Sequence, residues 1–432
     1  MSTETPTAHT PVDNPGQEQG QPLAPIPMAR TCPFDPPEVY RRLRTEDPIH
    51  RILLPSGDHA WLVTRLADIR AILSDPRFSH RNDLIEPPVP PEPIAPWVPT
   101  PPAPGGFNMM DPPDHTRYRK ILARYFTARH VARFSARITE VANELIDQMV
   151  ASGAGTDLVA DYAAPLAGRA IFELVGVDDG ERADLQRDID TTFCLTVTLE
   201  RAIPAITNLG AAVERIVSGR LAEVERSGGA GGRDDVLTDL IVRDELDGDE
   251  LRTVIFILLV GGMDTTANML ALGALALLRH PDQLALFTAG SHPGHVDELL
   301  RWLTISQWGA SRRALADVTV GAEPDGSGGH PVREGEMVVL ALNSANRDPA
   351  AFPEPDLLDL GRRPSKHVAF GGGVHMCIGQ HLARATLRVG WDALFSRLPD
   401  IRTAPGTAEP RFRLEMTHYG LFDLPVTWGP KT

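Results

Sequence analysis

Lysine and cysteine are the scarce residues of this chain. Of its 42 basic residues only Lys120, Lys366 and Lys431 are lysines. The arginine excess, with heavy use of Ala, Gly and Pro, fits a GC-rich bacterial genome and says nothing of chemistry. The three cysteines, Cys32, Cys194 and Cys377, are too few and too scattered for a disulfide framework, which points to a reducing compartment. They also exclude a zinc site built on cysteine pairs. The first thirty residues lack any apolar run, so 1–30 reads as a disordered polar tail and not as a signal peptide or anchor. Positive charge is lacking as well: a net charge of −15 disfavours nucleic acid and anionic membrane surfaces as partners.

One stretch is long and apolar enough to imitate a membrane span, Val254 to Leu278. Asp264, Thr265, Thr266 and Asn268 interrupt it at its centre, where charge is costly in lipid, so it reads as a buried helix. The expectation is a soluble, cytoplasmic protein without membrane contact.

With 42% hydrophobic residues, the 432-residue chain can bury a large core. A helix over Pro37–Arg44 precedes a hairpin of Ile49–Leu54 and His59–Thr64, and Thr64 sits where a cap would start a short helix to Leu73. Apolar residues recur every three or four positions from Val131 to Met149, and more weakly over Leu158–Val175 and Ala202–Glu225. Strand-like pieces lie around Val318–Val320, Met337–Ala341 and Leu421–Trp428. The predicted architecture is mainly α with small β-sheets, a single large helical domain over 31–432. Ten prolines fall between Pro87 and Pro104. A loop that long within a domain reads either as a rigid partner-binding stretch or as a lid over an apolar pocket.

The chemistry concentrates at Phe370–Gly379. Its one cysteine, Cys377, ends a glycine-rich loop just before a helical run. A thiolate there faces the unpaired amides and positive end of the helix, which favour its ionised form. The glycines permit close approach to something large and flat, as haem with an axial cysteine requires. Two other readings stand beside this one. A glycine-rich loop before a helix can cradle phosphate, though no Lys-Ser/Thr pair follows here. Cys377 could also act as a nucleophile with His375 as its base.

The segment resembles, position for position, the cysteine-ligand signature of the cytochrome P450 family, Phe-Gly-x-Gly-x-His-x-Cys-x-Gly. Gly261-Gly262-Met263-Asp264-Thr265 is similar to that family's oxygen-activating motif. Two glycines within a helix cost roughly 1 kcal/mol each relative to alanine, which suggests either a ligand or a packed helix close by. Glu298 and Arg301 resemble the Glu-x-x-Arg pair that holds the core around the cysteine loop, with Arg347 as a candidate third partner.

The resemblance implies haem b with Cys377 as the iron ligand, the cofactor-binding set including Gly261, Phe370, Gly371 and Gly379. It implies propionate donors from His115 and Arg119 on one side and from Arg312 and His375 on the other, with Arg313 an alternative to Arg312. Asp264 would deliver protons, Thr265 would steady the activated oxygen, and Thr266 would be structural. The segment 85–108 would be the substrate-access loop, and pocket walls would come from Trp97, Phe107, Phe193, Ile257, Val260, Ile305, Thr417 and His418. The implied activity is oxidation of a mostly apolar small molecule by O2, with electrons from a ferredoxin and ferredoxin reductase, by a monomeric enzyme. A non-catalytic haem-thiolate sensor or carrier is the rival; it would not need Asp264 and Thr265.

Overall fold

Asp247 starts the longest helix, Gly248–Arg279. Its carboxylate accepts from the amides of Asp249 and Glu250, and Glu250 reaches back to the Asp247 amide, so two orphan donors are satisfied reciprocally. The structure is a computed structural model; it describes residues 23–88, 98–153, 155–229, 232–290, 292–322, 327–363, 366–406 and 408–429. The long helix runs through the core against the helices Ala164–Val175, Leu199–Arg226 and Gln380–Arg397. Most of its apolar stretch, 67%, is buried inside the protein. Trp391, fully buried, fastens the helix Gln380–Arg397 to it by donating to the Leu270 carbonyl at 3.0 Å.

A five-stranded sheet stands beside this helical body, in the order Ile49–Leu53, His59–Val63, Met337–Leu340, Ala310–Ala314, Phe78–Ser79. The hairpin pairs Ile49 with Val63, and its second strand runs parallel to Met337–Leu340. Ala310–Ala314 lies antiparallel on the far side, with Arg312 opposite Val338. Successive side chains of a strand face opposite ways. Arg312 is therefore turned inward, while Arg313 donates outward to the carbonyls of Leu84 and Gly335. That alternation settles which of the two neighbours joins the cation cluster.

Several expected elements shift. Thr64 caps nothing; its hydroxyl donates to Pro48, and the helix Leu66–Ser74 takes its first amide partner from Asp348, whose carboxylate accepts from Leu66 at 2.9 Å. The Val131–Met149 pattern is two helices, Ala128–Ala132 and Ser135–Ser152. The Leu158–Val175 pattern begins as a π-helical turn, Val159–Ala163, before regular helix starts. Of the proline-rich segment, residues 89–97 and thus Trp97 lie outside the described residues. Its far end is anchored: the Gly105 amide donates to Tyr118 Oη, which donates to Glu250, and Arg117 pairs with the same carboxylate.

Candidate active site

The cysteine loop is shaped by one backbone contact. Gly373 has φ +63°, and a Cβ there would lie 1.8 Å from the Leu73 carbonyl oxygen, so only glycine lets the loop pass this helix. The Cys377 amide donates to the Phe370 carbonyl at 3.0 Å, closing the loop, and the Phe370 ring lies 4.5 Å from the Arg384 guanidinium carbon. Gly371 continues the turn, its amide on the Val368 carbonyl. Gly379 follows directly, so close that a Cβ there would sit 3.9 Å from the Cys377 sulfur.

The amides of Gly379 and Gln380 point at that sulfur, as a helix N-terminus should. Even so, burial pushes the Cys377 thiol above its ordinary pKa, outweighing those amides and the charges of Arg119 and Arg384. The helix-end amides favour the thiolate as the sequence suggested, but burial works against them. Cys377 is a free, exposed residue, and a bound metal cation would favour the deprotonated form of its thiol.

A cluster of nitrogen donors lies beside the loop. His115 and Arg119 come from the helix Asp114–Ala123, Arg312 from the sheet, and His375 from the cysteine loop. The His115 and His375 ring centroids are 4.2 Å apart, and Arg119 acts on both imidazoles as well as on Cys377. Burial and the neighbouring cations hold the His375 pKa down to about 3, and burial lowers Arg312 to about 10. The carboxylate that acts on this group is Asp111, felt by His115 and Arg312. His115 is 3% exposed and its Nδ1 is buried with no hydrogen-bond partner. Buried donors left so poor in acid partners fit a ligand that carries carboxylates of its own. A haem with two propionates fits that donor set, with Cys377 placed for the iron. His375 lies in this cluster and makes no hydrogen bond to Cys377 among those described, which removes the nucleophile–base reading.

On the long helix the two glycines separate into two roles. A Cβ at Gly262 would lie 2.7 Å from Ile171, so Gly262 serves helix packing; at Gly261 there is nothing within 4 Å. Beside that open space the Thr265 hydroxyl donates to the Gly261 carbonyl at 2.8 Å. Asp264 points the other way and is wholly buried. Its carboxylate meets Arg413 Nη2 at 2.9 Å, His418 Nδ1 at 2.8 Å and Asn268 Nδ2 at 3.0 Å. Burial alone would raise its pKa, but the His418 hydrogen bond and the Arg413 charge outweigh that and hold it below the usual carboxylate range. Arg413 also reaches Asp190 at 3.2 Å. Thr266 is buried.

Four expected pocket residues come together. The rings of Phe193 and His418 meet edge to face at 5.2 Å, the Thr417 amide donates to Phe193, and the Tyr419 amide donates to Ile305. Ile257 and Val260 are half-buried against the core, whereas Phe107 is 3% exposed and packs into the core, so it offers the cavity little wall. Sequence reasoning missed Arg413, Asp190 and Asn268; the i,i+4 spacing of Asp264 and Asn268 was the one available signal.

Glu298 and Arg301 form a doubly hydrogen-bonded pair at 2.7 Å, 4% and 1% exposed. The third partner is Arg362, whose Nε donates to Glu298 at 3.1 Å. Arg347 instead binds Asp35, Asp356 and the Trp302 carbonyl, and so has no hydrogen bond to spare for Glu298 among those described. Arg301 also donates to the Asn346 carbonyl, and the Asn346 side chain accepts from Val368 at the root of the cysteine loop.

A cysteine loop set against a cation cluster, in a helical body with a small sheet, defines a haem-thiolate protein, and comparison with known proteins agrees. The family description cytochrome P450 matches residues 294–410. Cytochrome P450-SU2 of Streptomyces griseolus is 39% identical over 411 residues, covering 93% of this chain and 96% of that protein. Pentalenic acid synthase of Streptomyces avermitilis is 36% identical over 416 residues, covering 96% and 99%. The crystal structure of CYP105P1 in complex with filipin I superposes with a TM-score of 0.83 at 35% identity, covering 95% of this chain and all of that one. The chain belongs to the cytochrome P450 family. It is a monooxygenase that carries haem b with an axial cysteine thiolate.

Proposed function

We propose that Cys377 is the axial ligand and that the enzyme oxidises a medium or large, mostly apolar natural product, with electrons from a ferredoxin and its reductase, as a cytoplasmic monomer. The observation that carries the site assignment is the two-residue link between His375 and Cys377. It ties the thiol to the donor cluster, with Arg119 acting on both ends. Haem bound there supplies reductive activation of O2, one oxygen atom entering the substrate and the other leaving as water.

The chain's own residues do the rest. His115, Arg119, Arg312 and His375 hold the propionates and orient the macrocycle. The Thr265 hydroxyl, its proton engaged by the Gly261 carbonyl, keeps its oxygen lone pairs beside the open space. Asp264 stores a proton acceptor in the dark of the core, and His418, with 24% of its side chain exposed, links that carboxylate to the pocket. Phe193, Ile305, Thr417 and the half-buried Ile257 and Val260 wall the substrate side. Such an apolar lining with few polar groups suits a natural-product scaffold. Among the relatives, names such as pentalenic acid synthase, nocardicin C N-oxygenase and 20-oxo-5-O-mycaminosyltylactone 23-monooxygenase point the same way.

The test is a screen of natural-product scaffolds for ligand-induced shifts of the ferric haem spectrum, followed by turnover with a surrogate ferredoxin system. Shifts and oxidised product with such scaffolds support the reading. Product formation with a flavodoxin donor but none with any ferredoxin overturns the partner assignment.

A further inference from the structure

Beside the four expected propionate donors stands a fifth nitrogen group that none of the sequence motifs contains. His80 directly follows the edge strand Phe78–Ser79, far in sequence from the other members. Its ring centroid lies 4.8 Å from that of His375, in an edge-to-face approach at 76°. His115, Arg312 and His375 all act on it electrostatically, and no carboxylate does. Its Nδ1 is buried and has no hydrogen-bond partner, the same condition as Nδ1 of His115.

The position is held firmly. The His80 amide donates to Asp111 Oδ1 at 2.8 Å, and Ser79 Oγ reaches the other oxygen of the same carboxylate. Asp111 lies three residues before the helix that carries His115 and Arg119, and the His115 amide donates to its carbonyl. One acidic residue thus ties the backbones on which His80 and His115 stand, while leaving both rings free to serve something else. A ring nitrogen sealed from water without a partner, beside the Arg312 guanidinium, is unfavourable by itself. An anionic acceptor entering the cluster relieves that condition.

We infer that His80 is a further hydrogen-bond donor to a haem propionate, a cofactor-binding residue contributed by the edge of the sheet. The inference rests on the reading that the propionates enter the His115–Arg312–His375 cluster. His80 thereby joins the strand Phe78–Ser79, and with it the start of the segment that runs into the proline-rich loop, to the cofactor.

The experiment uses the purified holoprotein of the parent and of His80→Phe, His80→Gln and His115→Phe. Haem loss to excess apomyoglobin is followed by visible absorbance, and the propionate-bending bands are read by resonance Raman. Removing one hydrogen bond to a charged group accelerates haem loss by roughly tenfold. His80→Phe is expected to show that acceleration with a shifted propionate band, and His80→Gln, which keeps an N–H donor, to restore both. The carbon monoxide spectrum stays unchanged in all of them, because the thiolate is untouched. If His80→Phe yields no holoprotein, His80→Ala carries the same comparison. Parental haem loss and an unshifted band in the His80 variants, with both altered in His115→Phe, overturn the role of His80 alone. An unshifted band in His115→Phe as well overturns the placement of the propionates, and the inference with it.

Discussion

His418 Nδ1 lies 2.8 Å from Asp264 Oδ2, joining a C-terminal loop to the centre of the longest helix across 154 residues of sequence. With Arg413 on the other oxygen, it fixes the carboxylate that we propose delivers protons. Asp264→Asn keeps the shape and removes the charge. Turnover should fall by about 10²–10⁴, the range for losing a positioned acid–base group, while haem content stays parental. His418→Phe retains the contact with Phe193 and breaks the hydrogen bond, so a smaller fall in the same direction is expected. Product formed per minute with a surrogate ferredoxin system measures both; parental rates in both variants would show the network to be structural.

Thr265→Ala should separate oxygen consumption from product formation. The substitution removes the hydroxyl beside Gly261 but no core packing, so haem binding and reducibility persist. The expected result is more hydrogen peroxide and less product per reductant consumed. Unchanged coupling would remove Thr265 from the oxygen chemistry.

Cys377→Ala should abolish the strongly red-shifted Soret band of the reduced, carbon monoxide-bound protein. Cys32→Ala and Cys194→Ala should leave it intact, since neither thiol belongs to the loop. Persistence of the band in Cys377→Ala is the outcome that refutes the ligand assignment.

Arg301→Ala should strand Glu298 in the core with Arg362 as its remaining cation. Breaking a buried pair from one side costs about 3–5 kcal/mol. Little haem-loaded protein should accumulate, as read from the ratio of Soret to protein absorbance. Full loading would mean that the loop does not depend on this pair.

Glu250 carries a pH dependence. Its hydrogen bond from Arg117 is the main cause that lowers its pKa from 4.5 to about 2, with Tyr118 and the Asp247 amide adding to it against burial. A lowered folded-state value means that the unfolded chain binds the proton more readily. The stabilisation is complete above about 4.5 and is lost as pH falls toward about 2. Glu250→Gln should lower stability near neutral pH by on the order of 1 kcal/mol, the Arg117 side being well exposed, and that deficit should shrink across the acid window. Denaturant midpoints at a series of pH values check the sign.

What the sequence disclosed is what neighbours in the chain determine. The Phe370–Gly379 loop, Glu298 with Arg301, and Asp264 with Thr265 are each contiguous or one helical turn apart, so their chemistry shows in the letters. The helices were legible for the same reason, since their apolar periods are local. Arg413, Asp190, His80 and Arg362 act on those motifs from 64 to 295 positions away, counted as 264 to 190, 413 to 264, 362 to 298 and 375 to 80, and spacing cannot announce them. The strand Ala310–Ala314 was missed because its two central residues are arginines, one turned to the cofactor cluster and the other to backbone carbonyls. Assigning Arg347 as the third core partner failed likewise: Arg347 and Arg362 lie 49 and 64 positions from Glu298, and only packing decides which of them meets it.

Gln307, 2% exposed, donates its side-chain amide to the carbonyls of Arg413, Leu414 and Met416. Every residue has a carbonyl, so this grip does not depend on which side chains the loop carries. Thr417, just beyond the gripped stretch, stands on an anchorage that does not depend on its own side chain. The C-terminal loop is in this sense an interchangeable part around two fixed points: Arg413 and His418 stay on Asp264, while the side chains between and beside them can be exchanged on an unchanged backbone path.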